Sequence, residues 1–286
     1  MVATTPSAAS DVDVASGERF DFGENWSRFL SVLDDERIAE AQLSLREMLG
    51  REQLAGLTFL DIGSGSGLFS LAAARLGAER VHSFDYDPGS VACTQELRRR
   101  YGLPAERWTA AQGDALDREY LDSLGRFDIV YSWGVLHHTG DLWTALSNAA
   151  RTVAGGGQLF VSIYNDQGPR SAMWRAVKRL YNTLPRRARL PYVLAVMGPR
   201  ELLVAAKCAA RGRPLDYVRG WTNYKRTRGM SRWHDLVDWV GGYPFEVARP
   251  EEVLDVLRPL GFELERLKTC GGGLGCNQFV FRRAGA

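Results

Sequence analysis

The pattern of apolar and polar positions divides the chain into segments of different character. Residues 1–19 are small and polar without an apolar period, and read as a disordered leader. Trp26, Phe29, Leu30 and Leu33 then fall at helical spacing, which predicts one or two helices over 24–49, stopped by Gly50. From Leu57 short apolar runs alternate with helical stretches. Strands are predicted at 57–62, 80–84, 108–112, 127–132 and 156–164. One intervening helix closes at Gly77, and another opens at Asp87-Pro88, where the aspartate caps and proline has no N–H to lose. Such alternation predicts a parallel sheet covered on both faces.

Past Asn165 the alternation ends. Residues 166–245 are rich in aromatics and arginines, with helices expected over 171–183 and 200–210 and no clear strand. A helix from Pro250 and strands at 262–269 and 277–283 then follow, separated by a glycine-rich TCGGGLGC. The reading is one α/β domain in five stretches. These are a leader (1–19), a helical cap (20–56), a core (57–165), a basic helical lid (166–249) and a closing piece (250–286).

Composition narrows the function classes. The 286 residues are 45% apolar and 24% charged, which excludes wholesale disorder. No apolar run approaches the ~18 residues of a membrane span. The N-terminus has neither the basic start nor the apolar core of a signal peptide. Four cysteines without CxxC spacing fit a reduced, cytoplasmic protein. The net charge of +2 argues against a polybasic nucleic-acid binder, but it is unevenly spread. Arg170–Arg232 carries 16 basic residues against Glu201 and Asp216, a net of +14 that leaves −12 elsewhere.

The central signal is Asp61-Ile-Gly63-Ser64-Gly65-Ser-Gly67, between a predicted strand and a helix. Glycines let the chain turn sharply and let a ligand approach the backbone. Asp85 ends the second strand 22 residues after Gly63, the distance at which an acid can bind the hydroxyls of a ribose. A dinucleotide fingerprint needs glycine at position 68, which is leucine. GxGxG with an acid two positions earlier suits a nucleoside carrying an ammonium better than NAD.

At these residues the chain resembles the class I S-adenosylmethionine-dependent methyltransferases. Asp61, Gly63, Gly65 and Gly67 match their first motif and Asp85 their second-strand acid. Gly113-Asp114 matches the pair that flanks the adenine, and Phe127-Asp128-Ile129-Val130 matches the fourth strand. The resemblance covers about 57–165 and 250–283. VLHHTGD is most similar to the small-molecule branch with quinone and sugar O-methyltransferases. It implies a Rossmann-like, doubly wound seven-stranded sheet of order 3-2-1-4-5-7-6, the last strand antiparallel. It implies S-adenosylmethionine as cofactor, held by the first motif with Ser64, Asp85, Tyr86, Gly113, Asp114, Ser132 and Trp133.

Methylating a hydroxyl calls for a base, and His137 and His138 follow the fourth strand at the ligand-bearing end of the sheet. Adjacent residues point apart, so at most one is expected to reach the acceptor, and both stay in play. Asp166, after the fifth strand, could orient a histidine, bind substrate or hold a divalent ion. No cluster has metal-ligand spacing, so no metal is assigned. Tyr164, Trp233 and His234 are candidate acceptor contacts, and Arg226, Arg228 and Arg232 are candidates for an anionic acceptor.

The expected protein is a cytoplasmic enzyme methylating a small-molecule hydroxyl, with homo-oligomerisation left open. Rival readings are a carbon or nitrogen methyltransferase, an RNA methyltransferase using the basic lid, and a non-catalytic binding protein. Against RNA stands the lack of any recognisable RNA-binding module.

Overall fold

In the computed structural model the described residues are 33–222, 232–273 and 275–285, with Ser16, Arg19, Phe20, Trp26 and Leu30. The side chains of Arg232, His234, Asp235 and Asp238 lie outside the description. Most of the expected leader lies outside it too.

Helix α1 (Asp35–Leu49) is capped by Asp34, whose side chain accepts from Arg37 N, and ends on Gly50 at φ 65°. Its buried stripe of Ile38, Ala41, Leu45 and Met48 lies against α2 (Leu68–Arg75). The chain then alternates β1 (Thr58–Ile62), α2, β2 (Arg80–Asp85), α3 (Pro88–Arg100), β3 (Trp108–Gln112), α4 (Arg118–Leu124), β4 (Phe127–Trp133), α5 (Leu142–Arg151) and β5 (Val153–Tyr164). After the helices of the lid come α10 (Pro250–Leu257), β6 (Phe262–Lys268) and β7 (Cys276–Arg283).

The sheet order is β3-β2-β1-β4-β5-β7-β6, parallel except for β7, as the resemblance implied. Two apolar clusters cover its faces. One includes Leu60, Ile62, Val130 and Leu159, and the other Phe59, Trp108, Tyr131 and Phe160. Neighbours along β1 and β4 therefore serve opposite layers, the period of two expected of strands buried on both sides. The β6 edge carries Glu263, Glu265, Arg266 and Lys268, charges that discourage pairing with another chain.

Between β5 and α10 lie α6 (Pro169–Thr183), α7 (Arg186–Ala210), α8 (Leu215–Thr222) and α9 (Arg232–Gly241). Helix α7 runs 25 residues through Pro191 and Pro199, where the sequence reading expected helix only from 200. Proline is a helix breaker by propensity, but here tertiary packing overrides it. Val193 and Met197 are buried in a cluster with Phe20, Tyr181, Leu236 and Val240.

Asp128 ties the central strands at the end away from the glycine loop. Its carboxylate accepts from Thr58 N and Oγ1, both at 2.8 Å, while Thr58 Oγ1 accepts from Asp128 N at 3.0 Å. Asp128→Ala leaves both Thr58 donors without that acceptor and is expected to cost about 1–3 kcal/mol. Urea denaturation should show a lower midpoint, with S-adenosylhomocysteine affinity unchanged by calorimetry.

Candidate active site

The carboxyl ends of β1, β2 and β4 surround a cavity of about 1160 Å³, roofed by the α6–α7 junction and by N-terminal residues. Pockets for one drug-sized ligand run to about 1,000 Å³, so a nucleoside and a second small molecule fit together.

Its floor is the glycine loop. Gly63 N and Ser64 N donate to Phe84 O at 2.8 and 3.1 Å, which pins the loop to β2. Gly63 and Gly65 sit at φ 76° and 54°. A Cβ on Gly63 would lie 2.4 Å from the Val135 methyls, and one on Gly65 would lie 2.8 Å from the Trp26 ring. Both clash, so neither position admits a side chain. Thr94 of α3 supports the loop from below, with its Oγ1 2.9 Å from Ser64 Oγ and 3.3 Å from Gly65 O.

Asp85 accepts from Gly65 N at 2.9 Å and Asp87 N at 3.0 Å. Burial pushes its carboxyl up to about 6, although these N–H groups favour the ionised form. Asp87 is the separate helix cap, accepting from Gly89 N. Asp61 stands beneath at the end of a one-way chain of donors. Trp108 Nε1 donates to Ser83 Oγ, Ser83 and Ser70 share a 2.6 Å contact, and Ser70 Oγ donates to Asp61 Oδ2. Burial pushes the Asp61 carboxyl up to about 7, opposed by Ser70 and reinforced by Asp85. Tyr131 also lines the cavity, and its Oη is buried with no hydrogen-bond partner.

The methyltransferase-domain family model matches residues 60–161. A ubiquinone biosynthesis O-methyltransferase from Methylobacterium sp. is 34% identical over 42% of this chain and 46% of its own length. Another, from Rhizobium etli, is 30% identical over 56% of this chain and 67% of its own length. The chain belongs to the class I S-adenosylmethionine-dependent methyltransferases. It spans less than half the length of the curated relatives that match first. Magnesium protoporphyrin IX methyltransferase from Synechocystis PCC 6803, solved with bound SAH, shares the fold. Its TM-score is 0.52 at 16% identity, over 91% of this chain and 95% of that one.

S-adenosylmethionine is the cofactor of that family, and the residues present fit it. Asp85 and Asp61 offer carboxylates for ribose hydroxyls and a cationic group. Gly63 and Gly65 in the floor admit close approach, and Tyr131 Oη is an unspent polar atom. Tyr86, Gly113, Asp114 and Trp133 line the same cavity, as do Asp61, Gly63, Ser64, Gly65 and Asp85.

Other expected contacts lie elsewhere. Ser132 is fully buried and donates to Ile62 O at 3.0 Å, so it ties β4 to β1 rather than facing a ligand. Gly67 is absent from the wall and caps α2 against Thr94. Of the histidine pair, His138 lines the cavity and His137 does not. His137 Nδ1 accepts from Tyr164 N at 3.3 Å, and burial holds its pKa well below the usual imidazole value. The Tyr164 ring packs against His137, tilted by 47° at 4.1 Å between centroids, and does not line the cavity. Asp166 accepts from Gly168 N at 2.9 Å at the turn into α6 and is not among the residues that line the cavity. Trp233 packs into the lid cluster. Arg226 and Arg228 lie outside the described residues, as do the side chains of Arg232 and His234 in α9.

Sequence reasoning missed three arginines in the wall: Arg19, Arg186 and Arg189. Arg19 donates to His138 O at 3.2 Å and lies 4.3 Å over the Tyr86 ring, joining the two halves of the cavity. Arg189 is held by Leu184 O at 3.1 Å and Asn182 O at 3.3 Å. The +14 count marked the lid, but no local pattern distinguished Arg186 and Arg189 from their neighbours, and Arg19 fell in the stretch read as a leader.

Asp61 leaves a signature in stability. Its carboxyl ionises near 3.8 when exposed and at about 7 in the fold. Between those values the native state keeps a proton that the unfolded chain releases, so stability falls as pH rises, and the loss is complete above 7. A carboxamide in the same place cannot ionise. Asp61→Asn should therefore raise Tm by about 2–8 °C at pH 8 and by less at pH 5. Equal increments at the two pH values in thermal melts would contradict the burial cost assigned here.

Proposed function

We propose that this chain transfers a methyl group from S-adenosylmethionine to the hydroxyl oxygen of an anionic small molecule, with His138 as general base. The observation that carries this reading is that His138 shares one cavity wall with Asp85 and the glycine loop. The relatives named as ubiquinone biosynthesis O-methyltransferases support an oxygen acceptor. When bound, the cofactor supplies an electrophilic methyl group, so the protein's part is alignment and proton removal.

Asp85 accepts from the ribose hydroxyls, and Asp61 offers negative charge to the ammonium. His138 Nδ1 lies 2.5 Å from Pro244 O, an acceptor only, so the ring proton sits on Nδ1 and the basic lone pair on Nε2. Nε2 would take the hydroxyl proton, which becomes acidic as the acceptor oxygen displaces the sulfur, as a neutral thioether, from the methyl carbon. The resulting imidazolium keeps its Nδ1 bond to the Pro244 carbonyl, which favours the charged form. Arg186 and Arg189 line the cavity and offer it guanidinium donors of the kind that carboxylate or phosphate accepts.

His138→Ala is expected to lower kcat by about 10²–10⁴-fold and keep S-adenosylhomocysteine affinity. Burial, with Lys178 and Arg19 nearby, lowers the His138 pKa to about 3. The base is then already neutral, so kcat should show no histidine limb between pH 5 and 8. A limb centred on the ordinary imidazole value, about 6.5, would return the role to another group.

Cofactor affinity should respond to pH instead. Ribose hydroxyls donate to the ionised form of Asp85, so binding must expel its proton below about 6. S-adenosylhomocysteine affinity is expected to weaken as pH falls through that value, by up to about tenfold per unit. Asp85→Asn should bind weakly with a flatter profile. Calorimetry at pH 5 and 7.5 tests both statements, and an unchanged affinity in Asp85→Asn removes this residue from the site.

A further inference from the structure

The outer side of the lid is apolar where a surface helix is ordinarily polar. On α7 Val193, Met197 and Glu201 form the buried row. Leu194 and Leu202, each one position further round, are 54% and 73% exposed. Leu190 and Leu203 are more than half exposed on the same helix, and Leu215 and Val218 extend the pattern onto α8. At 1.5 Å per residue, α7 is about 37 Å long. Scattered exposed leucines are ordinary, but a run of them on one long helix and its neighbour marks an interaction site.

Charge selects the partner. Arg170–Arg219 holds 12 basic residues and two acids. Asp216 is taken by Arg213 at 2.7 Å and Arg219 at 3.5 Å, and Glu201 is buried beside Arg200 at 3.6 Å. Among the described residues, Arg179, Arg187, Lys207 and Arg211 are exposed cations outside the cavity with no carboxylate partner. A second copy of this face would bring positive charge against positive charge. The exposed apolar side chains are aliphatic, and leucine and valine are under-represented among the residues that anchor protein interfaces. Aliphatic side chains flanked by cations suit the boundary between acyl chains and anionic headgroups.

We propose that the α7–α8 face of the lid docks on an anionic lipid bilayer, lying in the headgroup layer without crossing it. No helix of the described residues is long and apolar enough to span a membrane. Helix α7 also supplies Arg186 and Arg189 to the cavity, so docking sets the acceptor end of the site beside the lipid surface.

The test is co-sedimentation of the full chain with vesicles of phosphatidylcholine alone or of phosphatidylcholine and phosphatidylglycerol in equal parts. About tenfold more protein should bind the anionic vesicles, and high salt should release it. Leu194→Glu combined with Leu202→Glu should reduce that binding by about tenfold or more. Both side chains are exposed, so Tm and S-adenosylhomocysteine affinity should stay at wild-type values, which separates lost docking from lost folding. Equal binding to both vesicle types, no binding to either, or a double variant that binds like wild type overturns the proposal. A dimer that the double variant disperses, without vesicle binding, assigns the face to a second copy and overturns it too.

Discussion

The site depends on how the carboxyl ends of β1 and β2 are clasped together. Phe84 O accepts from two successive loop amides, and the next residue, Asp85, reaches back to Gly65 N. These bonds hold the chain in the left-handed turns that only glycine enters without strain. They also fix the Asp85 carboxylate before any ligand arrives. Thr94 below and Val135 and Trp26 above leave the loop no room to relax. A preorganised loop of this kind spares a ligand the entropy of ordering it.

The lid is a second, smaller structure around Phe20, Tyr181, Val193, Met197, Leu236 and Val240. Lys178 is buried at its base, donating to Trp239 O beneath the Trp239 and Phe245 rings. The segment after α9 joins lid to core. Pro244 O meets His138, Glu246 N donates to His137 O, and the Glu246 carboxylate accepts from Gly140 N and Leu142 N. The loop carrying the histidine pair is thus gripped by a stretch of chain more than 100 residues away. Its shape depends on the lid being folded.

This division explains what the sequence revealed. Strands β1, β2, β4, β5 and β7 were legible because each contains a short apolar run, and such signals are local, whereas the charged edge strand β6 was legible from its place after a helix in the resumed alternation. The same holds for Asp61, Asp85 and Gly113-Asp114, whose spacing follows from the strand ends. The histidines were legible as a pair but not individually. Which ring faces the cavity is decided by Tyr164 N and Pro244 O, partners that no neighbouring residue announces. Ser132 misled because a small polar residue at a strand end can turn toward the ligand or toward Ile62 O. Arg186 and Arg189 reach the cavity only through long-range packing, so charge counting found their segment and not their identity, while Arg19 stands at the end of the expected leader, outside that count.

The donor chain behind Asp61 has a further consequence. Ser70 engages Oδ2 from the core side, so a proton taken up by this carboxyl sits on Oδ1. Protonated, Asp61 offers the cavity a donor, and ionised it offers an acceptor. With its carboxyl at about 7, the hydrogen-bonding polarity of the cavity floor inverts near neutral pH. A cationic ligand arriving there selects the acceptor form and releases a proton to solvent. An uncharged analogue of the same shape meets either form and releases less, so charge discrimination at this position rests on a proton equilibrium as well as on contact.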